Sequence, residues 1–248
     1  MSTRRIAVIA VALVAVLAVG GVALYSTFLA GDNVPGLGLD TPAPSATAAA
    51  PTATAAAPTS RPGASAATGD LAGPWIVVSG VAGYRVRETF LQQNAETDAV
   101  GRTDGVAGTL TVDGDSGSLR LVSTQITVDM TTLRSDKDRR DGQLRGRAIE
   151  SDRFPISTFD LATPVALPAD FGSVDVAVTL PGKLTLHGVV KDVAIEAQAR
   201  LEADGTVVVA GSLPILFADY GIDPPNVAGI IAVQDNGSME FRVVFAKR

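Results

Sequence analysis

From Trp75 to the C-terminus, apolar and polar residues alternate with a period of two in one short run after another. The clearest is Val193-Ala-Ile195-Glu-Ala197-Gln-Ala199-Arg-Leu201, where Glu196, Gln198, Arg200 and Glu202 share one face and the aliphatic set the other, as a strand with one wet face requires. Val174 to Leu180, Leu184 to Leu186 and Met239 to Phe245 repeat the pattern. The runs predict strands at 75–78, 83–88, 105–112, 118–129, 156–161, 173–180, 183–201 (two arms folded at Gly188), 206–213 and 238–246. Asp113-Gly114, Asp204-Gly205 and Asn236-Gly237 supply the positive φ of tight hairpin turns, so neighbouring strands pair antiparallel. The stretch Gly221–Gly229 reads as a loop, because Pro224 and Pro225 cannot donate to a ladder. Short strands at this spacing predict an all-β domain, a barrel or a sandwich.

One stretch breaks the alternation. Thr131 to Phe159 carries seven of the chain's 20 Lys and Arg, with five acidic residues between them. It predicts a helical cover on the β-structure, anchored by Leu133, Leu144 and Ile149, with Phe154 and Phe159 holding it over an opening. The residue before Pro155 is pushed out of the α region, so any helix ends there. Within the cover, Lys137 to Asp141 reads as a solvated face laced with weak ion pairs, or else as the place where Arg140 meets a polar head group.

The N-terminal third is different. After Arg4 and Arg5 an uncharged apolar run extends from Ile6 to Ala30, longer than the ~20 residues that cross a bilayer. It predicts a signal anchor over 1–30 rather than a cleaved leader, since Ala18-Val19-Gly20 is a poor cleavage site and the run continues past it. With no Lys or Arg after Arg5 until Arg61, the positive-inside bias places the N-terminus in the cytoplasm and the C-terminal domain outside it, on a single-pass cell-membrane anchor. Residues 31–73 are rich in Ala, Thr, Pro, Ser and Gly and have little to bury, so they predict a disordered tether. The folded domain is 74–248.

Charge and chemistry narrow the function. A net charge of −6 argues against nucleic acid as a partner. The absence of cysteine excludes disulfides, thiolate metal sites and a cysteine nucleophile. His187 is the only histidine, no G-x-S-x-G surrounds any serine, and no phosphate-binding glycine loop occurs. Read on a strand, His187 shares a half-exposed face with Lys183 and Thr185. Neither an enzyme nor a bound metal or cofactor is expected.

Thr127-Val-Asp129-Met, then Arg140-Asp141, Leu144-Arg145, Phe154-Pro155 and Phe159, followed by Gly182-Lys-Leu-Thr-Leu-His-Gly-Val-Val-Lys191, resemble the pattern of the YceI-like polyisoprenoid-binding proteins. The likeness spans about Trp75 to Lys247. It implies an extended lipocalin-like antiparallel barrel that holds a long isoprenoid chain in an apolar interior, in proteins that are usually exported. The stretch Tyr84 to Phe90, where the family often has a histidine, and Phe217 to Ile222 depart from the pattern near the barrel mouth and bear on the head group.

About eight strands close a barrel just wide enough for one slim ligand. The expected lipid-binding set is Tyr84, Arg140, Asp141, Leu144, Phe154, Phe159, Leu184, Leu186, Phe241 and Phe245, with Arg140 near the polar end. The expected partners are an isoprenoid lipid of polyprenyl or quinone type and, through the N-terminal helix, the membrane; a homodimer stays open. The alternative is a structural or interaction module of the envelope whose barrel is packed solid.

Overall fold

The computed structural model describes residues 34–42, 71–92, 95–115, 117–224 and 231–248. The predicted membrane span over 1–30 lies outside them, as does most of the predicted tether. Among the described residues no helix is long and apolar enough to cross a membrane.

Among the described residues twelve strands make one antiparallel sheet: β1 (Gly73–Phe90), β2 (Ala95–Thr103), β3 (Val106–Asp113), β4 (Arg120–Asp129), β5 (Arg134–Ser135), β6 (Ile156–Leu161), β7 (Val165–Ala166), β8 (Val176–Leu186), β9 (Val189–Leu201), β10 (Val207–Leu216), β11 (Ile231–Val233) and β12 (Asn236–Lys247). β2 and β3 run end to end along β1, then β4, β6, β8, β9, β10 and β12 follow in order, and β12 pairs back onto β1. The ring of eight walls is therefore a closed barrel, in which β2, among the described residues, keeps an unpaired outer edge over 95–100, beyond its two pairs with β5. One end, the floor, carries the β3–β4 and β9–β10 turns. The other, the mouth, carries the β1–β2 and β8–β9 hairpins and the cover.

Alternation sets what points in. Along β8, Val176, Val178, Leu180, Leu184 and Leu186 are buried; along β9, Ile195, Ala197 and Ala199 are buried while Glu196 and Gln198 are exposed. In β1 a bulge at Val78 offsets the register, because Val77 opposes Phe245 and Ser79 opposes the next residue, Val244. Even-numbered residues from Ala82 onward then take the inward face that Trp75 began on odd numbers.

Several strand boundaries differ from the sequence reading. β2 was not expected, because Ala95–Thr103 is polar and patternless. β1 is unbroken, and β8 runs straight through Pro181. The Pro181 carbonyl accepts from Ala162 N at 2.9 Å, beyond the last β6 pair, so its missing N–H also faces that open side and no ladder bond is lost. Asn236-Gly237 is not a turn but the start of β12, paired with Leu216 and Ile215. His187 is not on a strand face: with φ of 53° beside Gly188 at 74°, it makes the β8–β9 turn itself.

The cover is only partly helical. A single turn of 3₁₀ helix (Met130–Thr132), β5, helix α1 (Asp138–Gln143) and a wide π-type turn (Leu144–Ala148) cross the mouth before β6 begins. Leu133 and Ala148 are buried beneath it. Phe159 is not part of the cover. It lies on β6, its ring over Gly182, where a Cβ would come within 2.3 Å of the ring.

Part of the predicted tether is docked. Residues 34–42 lie along the outer wall of the barrel. Arg85 donates to the Val34 carbonyl (2.7 Å), Arg102 to that of Pro35 (3.3 Å) and Arg242 to that of Leu39 (3.3 Å), while Glu240 accepts from Leu37 N (3.4 Å). Leu39 is buried against Val208 and Ala210, and Asp40 pairs with Arg200 at 2.8 Å.

Candidate functional site

The barrel is hollow. An inner chamber of about 150 Å³ and a mouth chamber of about 100 Å³ beneath the cover meet at a waist, where Ala82, Val128, Ser157 and Met239 belong to the walls of both. A water needs roughly 10–15 Å³ of such space, and only in polar surroundings with partners for its hydrogen bonds. The inner walls are mostly Trp75, Leu110, Val178, Ile195, Val243 and residues like them. The buried Thr124 hydroxyl, unpartnered among the described residues, is a polar exception, so a chamber with room for about ten waters has little to hold them there.

Packing at the floor is firm. Trp75 is 2% exposed, and its indole N–H donates to the Leu71 carbonyl at 3.1 Å, closing that end. Leu71, just before the predicted start of the domain, belongs to the same core. The hollow persists above it because small residues, Ala82, Ala197, Ala199 and Gly182, alternate with large ones around the ring.

The mouth chamber is built differently. Inward residues of β1 there are Tyr84, Val86 and Glu88, facing Arg140 from α1 and Leu144, Ile149 and Leu186. The Tyr84 ring lies over Gly101 on β2, where a Cβ would come within 2.2 Å of it, so only glycine admits the ring at that place. Its hydroxyl is buried and has no hydrogen-bond partner among the described residues, and burial pushes the phenol well above its ordinary range. Glu88, 7% exposed, accepts from Arg140 at 3.0 Å, and Asp136 holds the other arm of the guanidinium. Burial alone would lower the Arg140 pKa, but the charge and hydrogen bond of Glu88, with Asp136, outweigh it and raise it.

Of the ten residues singled out from sequence, the inner chamber holds Phe159, Leu184, Phe241 and Phe245, and the mouth chamber Tyr84, Arg140, Leu144 and Leu186. Asp141 and Phe154 line neither. Asp141 is buried because its carboxylate accepts from both the amide (2.9 Å) and the hydroxyl (2.6 Å) of Ser135, which fixes the loop ahead of α1. Phe154 packs edge-on against the His187 ring, 4.4 Å between centroids, under the Arg153 guanidinium. His187 is a latch between segments: Nδ1 donates to the Tyr220 carbonyl (2.9 Å) and Nε2 meets the Glu150 carboxylate (2.8 Å), tying the cover to the β8–β9 turn and to the short helix Phe217–Tyr220. Sequence reading missed Glu88 although the signal was present, since it stands two residues past Val86 and four past Tyr84 on the same face.

The family model for the YceI-like domain matches residues 82–245. Among solved structures, the chain is similar to a polyisoprenoid-binding domain from Saccharophagus degradans implicated in plant cell wall breakdown, at 17% identity and a TM-score of 0.53, covering 70% of this chain and 98% of that one. It is also similar to Burkholderia cenocepacia BcnA (21% identity, TM-score 0.48, 67% and 95% covered) and to a Campylobacter jejuni YceI protein (16%, 0.46, 60% and 85%). No curated protein matches the chain significantly.

Proposed function

The chain belongs to the family of YceI-like domains, and we propose that it is a binding protein that holds one isoprenoid lipid in its barrel, tethered to the cell membrane on the extracytoplasmic side. The observation that carries this reading is a hollow, apolar interior with a single polar end. Burying CH₂ groups contributes about 0.8 kcal/mol each, so every five-carbon unit drawn into the inner chamber adds roughly 3–4 kcal/mol before ordering is counted. That is affinity for length and slimness, without directional contacts.

The head group belongs in the mouth chamber, and its charge follows from the residues there. Arg140 is already neutralised by Glu88, with Asp136 adding a second carboxylate. A phosphate would meet two carboxylates for one guanidinium. A neutral acceptor, such as a quinone carbonyl or a prenol oxygen, instead gives the Tyr84 hydroxyl the partner it lacks. The similarity to a polyisoprenoid-binding domain supports the same ligand class. The apolar run over 6–30, flanked by Arg4 and Arg5, supports the tether and its orientation.

The test is native mass spectrometry and lipid extraction of the full chain purified from its own membranes. The expected result is one neutral isoprenoid lipid per chain. Protein that carries none and takes up none when offered a polyprenyl quinone would return the barrel to a structural module of the envelope.

A further inference from the structure

We infer that the mouth end of the barrel docks on an anionic membrane surface, so that a lipid passes between bilayer and cavity without crossing water. This rests on the membrane tether proposed above, and three observations carry it further. The first is the direction of the docked segment. Val34 sits at Arg85, level with Tyr84 of the mouth chamber, whereas Asp40 sits at Arg200, near the floor. The chain therefore enters from the mouth side. Only residues 31–33 separate Val34 from the end of the apolar run at Ala30, a reach of at most ~14 Å for the four steps. A membrane span ending there holds the mouth, not the floor, at the bilayer.

The second observation is charge. Residues 131–159 carry seven Arg and Lys against five Asp and Glu, in a chain of net charge −6. Arg139, Arg145, Arg147 and Arg153 make no ion pair with a described residue, and Arg139, Arg147 and Arg153 are exposed. The cover also exposes Asp136, which pairs with Arg140, and Asp138 and Asp152. Elsewhere at this end Glu96 and Asp98 pair with Arg87, Asp192 with Lys183 and Asp219 with Lys191, while Asp223 and Asp235 are exposed without an ion pair to a described residue. At the floor the order reverses, with Asp113, Asp115, Asp170, Asp175, Glu202 and Asp204 against Arg120, Arg200, Lys247 and Arg248. Cover arginines without an ion pair to a described residue and surplus carboxylates at the floor orient the cover toward the negative potential of a lipid surface.

The third observation is apolar. Leu91 at the tip of the β1–β2 hairpin is 50% exposed, Val190 after the β8–β9 turn 55% and Leu216 at the end of β10 54%. All three stand at the mouth end, where they can enter the interfacial layer while the arginines stay among head groups.

The absence of cysteine makes the test direct, because an introduced one takes a label uniquely. The full chain, bearing an environment-sensitive fluorophore on either Leu91→Cys or Val174→Cys, is reconstituted in vesicles of equal parts phosphatidylcholine and phosphatidylglycerol with a head-group nitroxide quencher. Val174 is the exposed aliphatic of the floor, at 51%. Quenching is expected to be several-fold stronger at position 91 than at 174. It should fall toward the value at 174 when Arg139, Arg145 and Arg147 are all changed to Gln, or when salt is raised past the screening range.

Equal quenching at the two positions, or stronger quenching at 174, overturns the orientation while leaving the tether standing. A chain that does not float with the vesicles overturns tether and orientation together. Lipid extracted from the same preparations reports separately on whether the barrel carries an isoprenoid, so failure of the docking and failure of the carrier reading are distinguishable.

Discussion

The two chambers of the barrel are separated by a single waist and obey different rules. In the inner chamber almost every wall atom is carbon, and alternation along the strands was enough to put it there. In the mouth chamber a carboxylate, a guanidinium and a phenol are buried together, and two of the three are satisfied by each other. The inner chamber can therefore select only by shape and length, since apolar burial has no direction. A ligand reaching the mouth chamber would be selected by hydrogen bonding, because an unpaired buried polar group is penalised until something pairs with it.

The largest effect is expected at the waist. Ala82 is buried and lines both chambers, so Ala82→Phe should sever one from the other. Lipid recovered from purified protein should drop at least about tenfold, while overpacking lowers stability by only about 1–3 kcal/mol in urea unfolding. Full lipid occupancy in this variant would show that the chambers do not act as one channel.

The next effect belongs to the mouth alone. Arg140→Ala leaves Glu88 buried without its partner and should destabilise the protein by about 3 kcal/mol. Changing both at once, Glu88→Gln with Arg140→Met, should recover most of that, since the penalty is the uncompensated charge rather than a lost attraction. A double variant as unstable as the single one would mean that the cover, not the ion pair, is what Arg140 supports.

This difference between chambers also explains what could be read from sequence. The inward positions of Phe241, Phe245 and Leu184 were legible because they follow from a period of two, and a strand carries that period wherever it goes, whereas Phe159 was expected in the cover and lies on β6. The mouth was legible only in part. Tyr84 and Arg140 do line that chamber, but Asp141 does not, since nothing local tells whether a carboxylate faces a cavity or the hydroxyl of Ser135 six residues earlier.

His187 was assigned to a strand because Leu184 to Leu186 alternates up to it, while its left-handed φ is set by the turn with Gly188. The docked segment 34–42 gave no signal at all. It holds on through Leu39, the Asp40 carboxylate, the Leu37 amide and a row of backbone carbonyls, and these leave no periodic trace in Val-Pro-Gly-Leu-Gly-Leu-Asp-Thr-Pro.

A smaller effect separates affinity from stability. Tyr84→Phe removes a buried hydroxyl that has no partner, so the lipid-free protein should be unchanged or more stable by up to about 1 kcal/mol. Retention of a lipid with a carbonyl or hydroxyl head should nonetheless fall about two- to tenfold, the worth of one hydrogen bond. Opposite signs from one atom would mark the Tyr84 hydroxyl as a head-group donor. Loss of both stability and binding would make it a packing residue instead.

The smallest effect is on the barrel wall where the docked segment lies, at the carboxylate that Arg85 and Arg102 hold. Burial would raise the Glu240 carboxyl, but hydrogen bonds from Arg85 and Arg102 outweigh it and hold the group below its ordinary value. The unfolded chain then binds the proton more readily than the folded one, so stability rises with pH wherever Glu240 titrates. The contribution is full above the ordinary glutamate value of about 4.3 and is lost as pH falls through the depressed folded value. Glu240 also accepts from Leu37 N and, with Arg85 and Arg102, organises the site where the Val34 and Pro35 carbonyls bind. Acid should therefore loosen the docked segment before it opens the barrel, whose inner walls carry no comparable charge. Hydrogen exchange, corrected for the intrinsic pH dependence, should show the Leu37 amide losing protection below about pH 4 while amides of β8 and β9 keep theirs. Simultaneous loss in both would mean that the segment is part of the barrel's cooperative unit, and Glu240→Gln should then lower the stability of the whole domain rather than the protection of Leu37 alone.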